Sequence, residues 1–292
     1  MRIVITGGRG HLGADLALAL RKHEPIVLDH AALDVSDPTA VAARISELAP
    51  AVVVNTAAYN KVDLAEDEPD LAWQTNALAP RSLAAACDAA NALFVHFSTD
   101  YVFGAPGTVP WREDDAPTPT SVYATTKLAG EHFARRARSH VVIRTCGLYG
   151  LHGAGGKGTN FVETMLRVGA SGKPLRVVDD QVLAPTATRD LAALVAMLLE
   201  RWRAEPRPEL LGIHHATNAG ATSWFEFARE IFHQAGLAPD LQPTSTQDYG
   251  ARAARPSYSV LANTSLQRAG LPAMRPWQEA LAAYLAERAT RG

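Results

Sequence analysis

The spacing of apolar residues along the chain changes between two periods. In the first half, short runs rich in Val and Ile predict strands that are buried on both faces of a sheet. These runs cover residues 2–6, 25–29, 51–56, 93–98 and 141–146. Stretches with helical spacing alternate with them, at residues 11–21, 38–48, 69–90 and 119–137. This alternation predicts an α/β fold, a doubly wound parallel sheet with helices on both sides.

The second half of the chain follows a different pattern. Helices are predicted at residues 161–171, 189–203, 224–234 and 276–288, and a glycine-rich stretch, GLHGAGGKGTNF, separates them from the first half. We therefore expect a nucleotide-binding domain over residues 1–150. We expect a smaller, mainly substrate-binding domain over residues 151–292, with some of its segments returning to the first sheet.

Composition narrows the class of protein. The chain has 292 residues, of which 47% are hydrophobic and 20% charged, enough for a substantial buried core. A net charge of −2 without a cationic cluster argues against a nucleic-acid partner. No apolar run reaches the ~20 residues that span a bilayer, so we expect no membrane partner and a cytoplasmic location. Two cysteines, Cys87 and Cys146, provide no disulfide framework.

A glycine-rich turn follows the first predicted strand. Gly7, Gly10 and Gly13 form a GxxGxxG pattern between that strand and the next helix. Glycine allows a tight turn and a close approach of the backbone to a pyrophosphate, and the helix N-terminus offers free N–H groups to the phosphates. The strand–turn–helix context predicts a dinucleotide site.

Two residues near this turn favour different dinucleotides. Asp29 ends the second predicted strand, where a carboxylate meets the adenosine ribose hydroxyls, and it favours NADH. Arg9 lies inside the turn, where a guanidinium could pair with a 2′-phosphate, and it favours NADPH. The sequence leaves both open. Asp34 and Val35 are candidates to flank the adenine.

Tyr123 and Lys127 stand one helical turn apart and therefore share a helix face. A nearby ammonium is expected to lower the pKa of the phenol and to suit it to proton transfer. Thr99 follows the strand at residues 93–98, at the end where ligands of parallel sheets bind. We predict that Tyr123 and Lys127 form a catalytic set with one of the two hydroxyls at this strand end, Ser98 or Thr99.

Six longer segments, spread over most of the chain, add to the evidence from these residues. They are VVNTAAYNKVDLAEDEP (53–69), STDYVFG (98–104), VYATTKLAGE (122–131), NFVETMLR (160–167), VVDDQVLAPT (177–186) and ARPSYSVLANT (254–264). With these segments the chain resembles the dTDP-4-dehydrorhamnose reductase family of the extended short-chain dehydrogenase/reductases. The resemblance implies a Rossmann-type fold and hydride transfer from NADPH, sometimes NADH, to the C4 keto group of a 4-keto-6-deoxy sugar on dTDP.

The resemblance also implies residue roles. Thr99, Tyr123 and Lys127 fall on the family's catalytic positions, with Tyr123 giving the proton and Lys127 holding the nicotinamide ribose. Asp100 falls where the family contacts the sugar. Apart from the resemblance, Asn160 and Arg255 are candidates for the substrate diphosphate, because arginine suits bidentate phosphate contacts, and surface or packing roles stay open for both. Residues on cofactor-contacting positions are Gly10, His11, Leu12, Asp29, Asp34, Val35, Ala57, Ala58 and Tyr59. A nucleotide sugar is thus the expected ligand, and a homodimer is left open as the assembly.

The chain departs from the family pattern at three places. Gly147 replaces a tryptophan expected to lie over the sugar, Tyr258 replaces an asparagine, and residues 151–159 form a longer, glycine-rich stretch. GAGGKGT within that stretch fails the P-loop spacing. His214 and His215 lack a partner set for zinc, so no metal is expected.

Three other functions remain as alternatives: two enzymatic and one non-catalytic. A nucleotide-sugar 4,6-dehydratase would need a second acid/base group, and Asp100-Tyr101 follows Thr99 where related dehydratases have Asp-Glu. An epimerase would consume no cofactor. A non-catalytic regulatory subunit on this fold is disfavoured by the intact catalytic set.

Overall fold

A computed structural model describes residues 1–152 and 160–291 of the chain. Its strands are β1 (Ile3–Thr6), β2 (Ile26–Leu28), β3 (Val52–Asn55), β4 (Leu93–Thr99), β5 (His140–Thr145), β6 (Leu148–Tyr149), β7 (Leu175–Val178), β8 (Val182–Leu183), β9 (Thr186–Ala187), β10 (Gly212–His215), β11 (Thr222–Ser223) and β12 (Leu241–Thr244).

The helices connect and cover these strands. They are α1 (His11–Ala19), α2 (Pro38–Leu48), α3 (Pro69–Trp73), α4 (Ala79–Ala90), α5 (Val122–Ala134), α6 (Phe161–Gly169), α7 (Thr188–Ala204), α8 (Trp224–Ala235), α9 (Thr246–Tyr249), α10 (Thr264–Arg268) and α11 (Trp277–Ala289).

The central feature is a six-stranded sheet in the order β10-β5-β4-β3-β1-β2. Every neighbouring pair in it is parallel. From β1 the sheet grows in two directions, with β2 on one side and β3, β4, β5 and β10 in turn on the other. Helices cover both faces, so the predicted doubly wound α/β fold of Rossmann type is confirmed.

Two apolar layers hold the helices to this sheet. On one face, leucines of α1 and α7 pack on Ile3, Val95 and Ile143. On the other face, α2 and α4 pack on Val4, Phe94 and their neighbours. Because β1, β3 and β4 contribute buried residues to both layers, these strands lack a solvent-exposed side.

Two later segments join this first sheet. β10 pairs with β5, and α7 packs beside α1. The remaining C-terminal elements, α6, α8 and α11, form a separate apolar cluster around Tyr149, Phe227 and Trp277. The domain boundary at residue 150 stays a prediction.

The predicted helix at residues 69–90 is one helical run with a widened turn in it. Residues Gln74–Leu78 form a π-helical turn between α3 and α4. Pro80 has no N–H to donate to the Asn76 carbonyl one turn earlier, and the helix widens there. That carbonyl lies against Gly130 of α5, where a Cβ atom would come within 2.1 Å of it.

Two segments were not expected to bind a phosphate or a metal: the GAGGKGT stretch and the pair His214 and His215. The GAGGKGT stretch, residues 153–159, lies outside the described residues. His214 hydrogen-bonds Ser265 Oγ of α10 at 2.9 Å, and His215 donates to the Trp111 carbonyl at 3.1 Å, so both rings bind neighbouring segments of the chain. Of the helices described, none has the length and apolarity needed to cross a bilayer.

A buried ion pair connects α5 to the sheet. Arg144 of β5 donates to both carboxylate oxygens of Glu131, at 2.9 and 2.8 Å, and both side chains are 2% exposed. The Ser98 hydroxyl of β4 donates to the same carboxylate at 2.5 Å. These bonds fix α5 relative to the ends of β4 and β5.

We expect Arg144→Met to lower the free energy of unfolding by about 3–5 kcal/mol, because it leaves the Glu131 carboxylate buried without its cation. Chemical denaturation measures this loss. Arg189→Met, which removes an exposed ion pair with Glu287, serves as the control and should cost about 0–1 kcal/mol. The double variant Arg144→Met/Glu131→Leu should recover much of the stability. Equal, small effects of the two single variants would contradict this account.

Candidate active site

The site is built where β4 ends. Thr99 is its last residue, and Asp100 opens the turn that follows. The Thr99 hydroxyl accepts a hydrogen bond from the Tyr101 N–H at 3.2 Å and donates to Asp100 Oδ1 at 3.1 Å. These bonds fix the hydroxyl at the carboxyl edge of the sheet.

The first turns of α5 bring Tyr123 and Lys127 to the same edge. Ser121 caps this helix by accepting a hydrogen bond from the Ala124 N–H at 3.2 Å. Lys127 is buried, and its Nζ donates to the Phe97 carbonyl of β4 at 2.6 Å. Burial lowers the pKa of Lys127 to about 8, opposed by the charge of Glu131.

The phenol of Tyr123 is harder to ionise than the sequence suggested. Burial raises the pKa of Tyr123 to about 12, against a hydrogen bond with Thr99 and with a further increase from Asp100. The prediction that Lys127 lowers this pKa is therefore wrong for the free protein. The ammonium is bound to the Phe97 carbonyl, and desolvation of the phenolate dominates.

One cavity of about 310 Å³ contains this edge of the sheet. Its described lining residues are Asn60, Val62, Ser98, Thr99, Asp100, Tyr101, Tyr123, Thr145, Cys146, Gly147, Leu148, Gln181, Val182, Leu183, Trp224, Pro256 and Ser259. The ends of β4 and β5 contribute hydroxyl groups, α5 contributes the Tyr123 phenol, and β8 with the start of α8 contributes much of the apolar wall. Asp100 is the only acidic residue in this lining.

Asp100 lies deep in the cavity wall. Its carboxyl accepts a hydrogen bond from Cys146 Sγ at 2.8 Å, and the hydroxyls of Ser259 and Thr99 also bind it. Burial nevertheless raises the pKa of Asp100, because these donors only partly replace water. The carboxyl is thus held in one orientation beside Thr99.

The glycine turn fits a dinucleotide phosphate. Gly7 has a φ of +69°, and a Cβ atom there would lie 2.5 Å from the Ala57 N. A Cβ atom at Gly13 would lie 2.7 Å from the Gly8 Cα. Gly10 caps α1 without a side-chain hydrogen bond, so the first N–H groups of that helix face the turn.

The two residues that favoured different dinucleotides are paired with each other. Arg9 Nε lies 2.7 Å from Asp29 Oδ2, and the Ala32 N–H donates to Asp29 Oδ1 at 2.9 Å. The Arg9 side chain is 78% exposed, whereas that of Asp29 is 19% exposed. Asp29 therefore anchors Arg9 at the mouth of the turn, and its own charge is compensated.

Four other predicted cofactor residues, His11, Leu12, Asp34 and Val35, have the following surroundings. His11 starts α1 and donates to the His152 carbonyl at 2.6 Å. The side chains of Leu12 and Val35 pack in the core, which leaves their backbone as the part that can meet a ligand. Asp34 accepts two hydrogen bonds from Ser36, which lower its pKa.

Residues Ala57, Ala58 and Tyr59 follow β3 on the opposite side of the glycine turn. Asn76, in the π-helical turn, binds both the N–H and the carbonyl of Tyr59 at 2.9 Å. Sequence reasoning missed Asn76. The signal available was Pro80, one turn later, because a proline inside a helical stretch indicates a local departure from α-helical geometry.

Two predicted substrate residues are engaged elsewhere. The Asn160 amide caps α6 and donates to the Gly150 carbonyl and the Tyr284 hydroxyl. Arg255 forms a two-bond ion pair with Asp63, at 3.0 and 2.7 Å. Neither residue belongs to the lining of the cavity around Thr99. Their contact with a diphosphate stays a prediction.

Trp224, at the start of α8, lies beside Gly147, the position where the family has a tryptophan. Gly147 has a φ of +53°, and a Cβ atom there would lie 3.1 Å from Leu183 Cδ1 and 3.7 Å from the edge of the Trp224 indole. Trp224 packs on Phe161 with 4.5 Å between ring centroids. An aromatic wall is therefore present, although sequence reasoning missed Trp224 because only the fold brings it here.

A parallel sheet of this type with a Thr–Tyr–Lys set at its carboxyl edge defines a short-chain dehydrogenase/reductase of the extended type. The chain belongs to the RmlD substrate binding domain family, whose model matches residues 1–290. The family resemblance seen in the sequence is thereby confirmed.

Named relatives agree with this family. The chain is 38% identical to the spore coat polysaccharide biosynthesis protein SpsK of Bacillus subtilis, covering 99% of this chain and 98% of that protein. It is 42% identical to a dTDP-4-dehydrorhamnose reductase of Streptomyces griseus, covering 96% and 91%. A crystal structure of dTDP-4-dehydrorhamnose reductase from Bacillus anthracis in complex with NADP matches with a TM-score of 0.91 and 36% identity, covering 98% and 99%.

Proposed function

We propose that this protein is an NADPH-dependent reductase of the C4 keto group of a dTDP-linked 4-keto-6-deoxy sugar. One observation carries the proposal: Thr99, Asp100 and Tyr123 line a single cavity at the sheet edge, with Lys127 one turn further along α5. Its relatives named dTDP-4-dehydrorhamnose reductase match over nearly the whole chain, which supports the same activity.

The residues present suit a nicotinamide dinucleotide. The N-terminus of α1 and its glycine turn would hold the pyrophosphate, and Lys127 the nicotinamide ribose. The bound cofactor supplies the hydride that reduces the ketone. NADPH suits the site better than NADH, because Arg9 compensates Asp29 and presents an exposed guanidinium to a 2′-phosphate.

Tyr123 is the proton donor in this proposal. With a pKa raised to about 12, its phenol is protonated at neutral pH and can give a proton to the developing alkoxide. When the ketone binds, the Thr99 hydroxyl turns its proton from Asp100 to the same oxygen and orients the ketone. Asp100 binds a sugar hydroxyl beside it.

Two alternative activities fit the cavity less well. A dehydratase needs a second acid/base group beside the tyrosine, and Asp100 is the only acidic residue among the described lining residues. An epimerase would leave the amount of reduced cofactor unchanged. We also propose that residues 1–150 bind cofactor and residues 151–292 mainly bind the nucleotide sugar, in a cytoplasmic protein with a homodimer as its assembly.

The test is reduction of dTDP-4-keto-6-deoxy sugars, followed by loss of nicotinamide absorbance. The wild type should consume NADPH with at least one of them. Tyr123→Phe should lower kcat about 10²–10⁴-fold, because it removes the proton donor, while the Kd for NADPH stays unchanged. Tyr249→Phe, at an exposed position, is the control. Unchanged turnover in Tyr123→Phe would refute the assigned role.

Cofactor choice tests the Arg9–Asp29 pair. We expect Arg9→Met to raise the KM for NADPH about tenfold, the value of one charge-assisted contact at an exposed site, and to leave the KM for NADH within about twofold. Arg21→Met, two residues beyond the C-terminal end of α1, should change neither value. Equal changes for the two cofactors would show that Arg9 does not recognise the 2′-phosphate.

The titration of Lys127 predicts how cofactor affinity depends on pH. Protonated Lys127 is the donor to the ribose, and its pKa of about 8 means that the donor is lost as pH rises through 8. Between pH 8.5 and 10 the affinity for NADPH should fall about tenfold per pH unit, and Lys127→Met should remove this dependence. A flat wild-type profile in that range would contradict it.

A further inference from the structure

Thr145 is the last residue of β5 and lies beside Thr99. The parallel register of β4 and β5 pairs the two residues directly. Paired residues on neighbouring strands lie about 4.7–4.9 Å apart and project to the same face of a sheet. Thr145 therefore belongs to the same edge as the threonine assigned to the ketone, and it lines the same cavity.

The hydroxyl of Thr145 is anomalous. The residue is 4% exposed, and within residues 1–152 and 160–291 its Oγ1 has no hydrogen-bond partner. Buried hydroxyls nearly always have a partner, because burying one without a partner costs free energy. Thr186, another buried threonine, follows that rule: it donates to the Ala184 carbonyl at 3.0 Å and accepts from the Asn218 N–H at 3.3 Å.

The neighbours of Thr145 are already committed. Asp100 takes hydrogen bonds from Cys146, Ser259 and Thr99, and Thr99 also accepts from the Tyr101 N–H. Asp100 and Thr99 therefore have hydrogen-bond partners within the protein, whereas the hydroxyl of Thr145 has none among the described residues. Rotation about χ1 exchanges the methyl and the hydroxyl of a threonine, so the oxygen can turn to a ligand in the cavity.

We propose that Thr145 is a ligand-binding residue whose hydroxyl is satisfied only when substrate and cofactor fill the cavity. Its partner is a neutral polar group next to the reacting carbonyl, either the carboxamide of the nicotinamide or a hydroxyl of the sugar adjacent to the ketone. The inference rests on the proposed function for the identity of these two ligands. It adds a second threonine to the three residues of the catalytic set.

Thr145→Val and Thr145→Ser are the matched variants. Val keeps the shape and removes the hydroxyl, whereas Ser keeps the hydroxyl. We expect Thr145→Val to lower kcat/KM ten- to a hundredfold and Thr145→Ser to stay within about threefold of the wild type. If the carboxamide is the partner, the Kd for NADPH without sugar rises by the same factor. If the sugar is the partner, that Kd is unchanged and the loss appears with the sugar alone.

Thermal unfolding of the free protein separates this role from a structural one. Thr145→Val should keep or raise the Tm, because it removes a buried hydroxyl that has no protein partner. Thr186→Val, which breaks two hydrogen bonds, should lower the Tm by several degrees. A Tm loss in Thr145→Val equal to that of Thr186→Val would overturn the proposal, as would a kcat/KM within twofold of the wild type.

Failure of the proposed function gives a different result. In that case the wild type reduces no keto sugar, while the NADPH affinities and Tm values of the Thr145 variants remain measurable. An unchanged Kd for NADPH in Thr145→Val would then exclude the carboxamide, and a lowered Tm would exclude the ligand-binding role altogether.

Discussion

The contact between α5 and the ends of β4 and β5 controls the geometry of the site. Glu131 receives the Ser98 hydroxyl and the Arg144 guanidinium inside the protein, and Lys127 is bound to the Phe97 carbonyl. Tyr123 and Lys127 are consequently fixed relative to Thr99 by bonds that solvent does not weaken. A small shift of α5 would separate the proton donor from the hydroxyl that orients the ketone.

The same burial that fixes these groups sets their protonation. Desolvation raises the pKa of Tyr123 and lowers that of Lys127, so each group is pushed toward its neutral form. For the tyrosine this favours the acid needed to protonate an alkoxide. For the lysine it brings the titration close to the working pH. Both effects follow from placing ionisable groups at a closed sheet edge.

Much of the fold and part of the site could be predicted from the sequence. The runs of Val and Ile gave the central strands, and the helical spacing of Tyr123 and Lys127 placed them on one face. Properties that depend on tertiary packing could not be predicted. The pairing of Arg9 with Asp29, the π-helical turn at Asn76 and the place of Trp224 beside Gly147 arise between segments distant in sequence. The predicted direction of the Tyr123 pKa shift was wrong, because residue spacing identifies a charged neighbour but burial, which the spacing does not show, dominates the shift.

A crystal structure with NADP⁺ and a dTDP-linked 6-deoxy sugar tests the central claim most directly. The account predicts that the O4 atom of the sugar lies within hydrogen-bond distance of both Tyr123 Oη and Thr99 Oγ1, at about 2.6–3.0 Å. A sugar bound with O4 away from both hydroxyls, or outside the cavity at the end of β4, would contradict it.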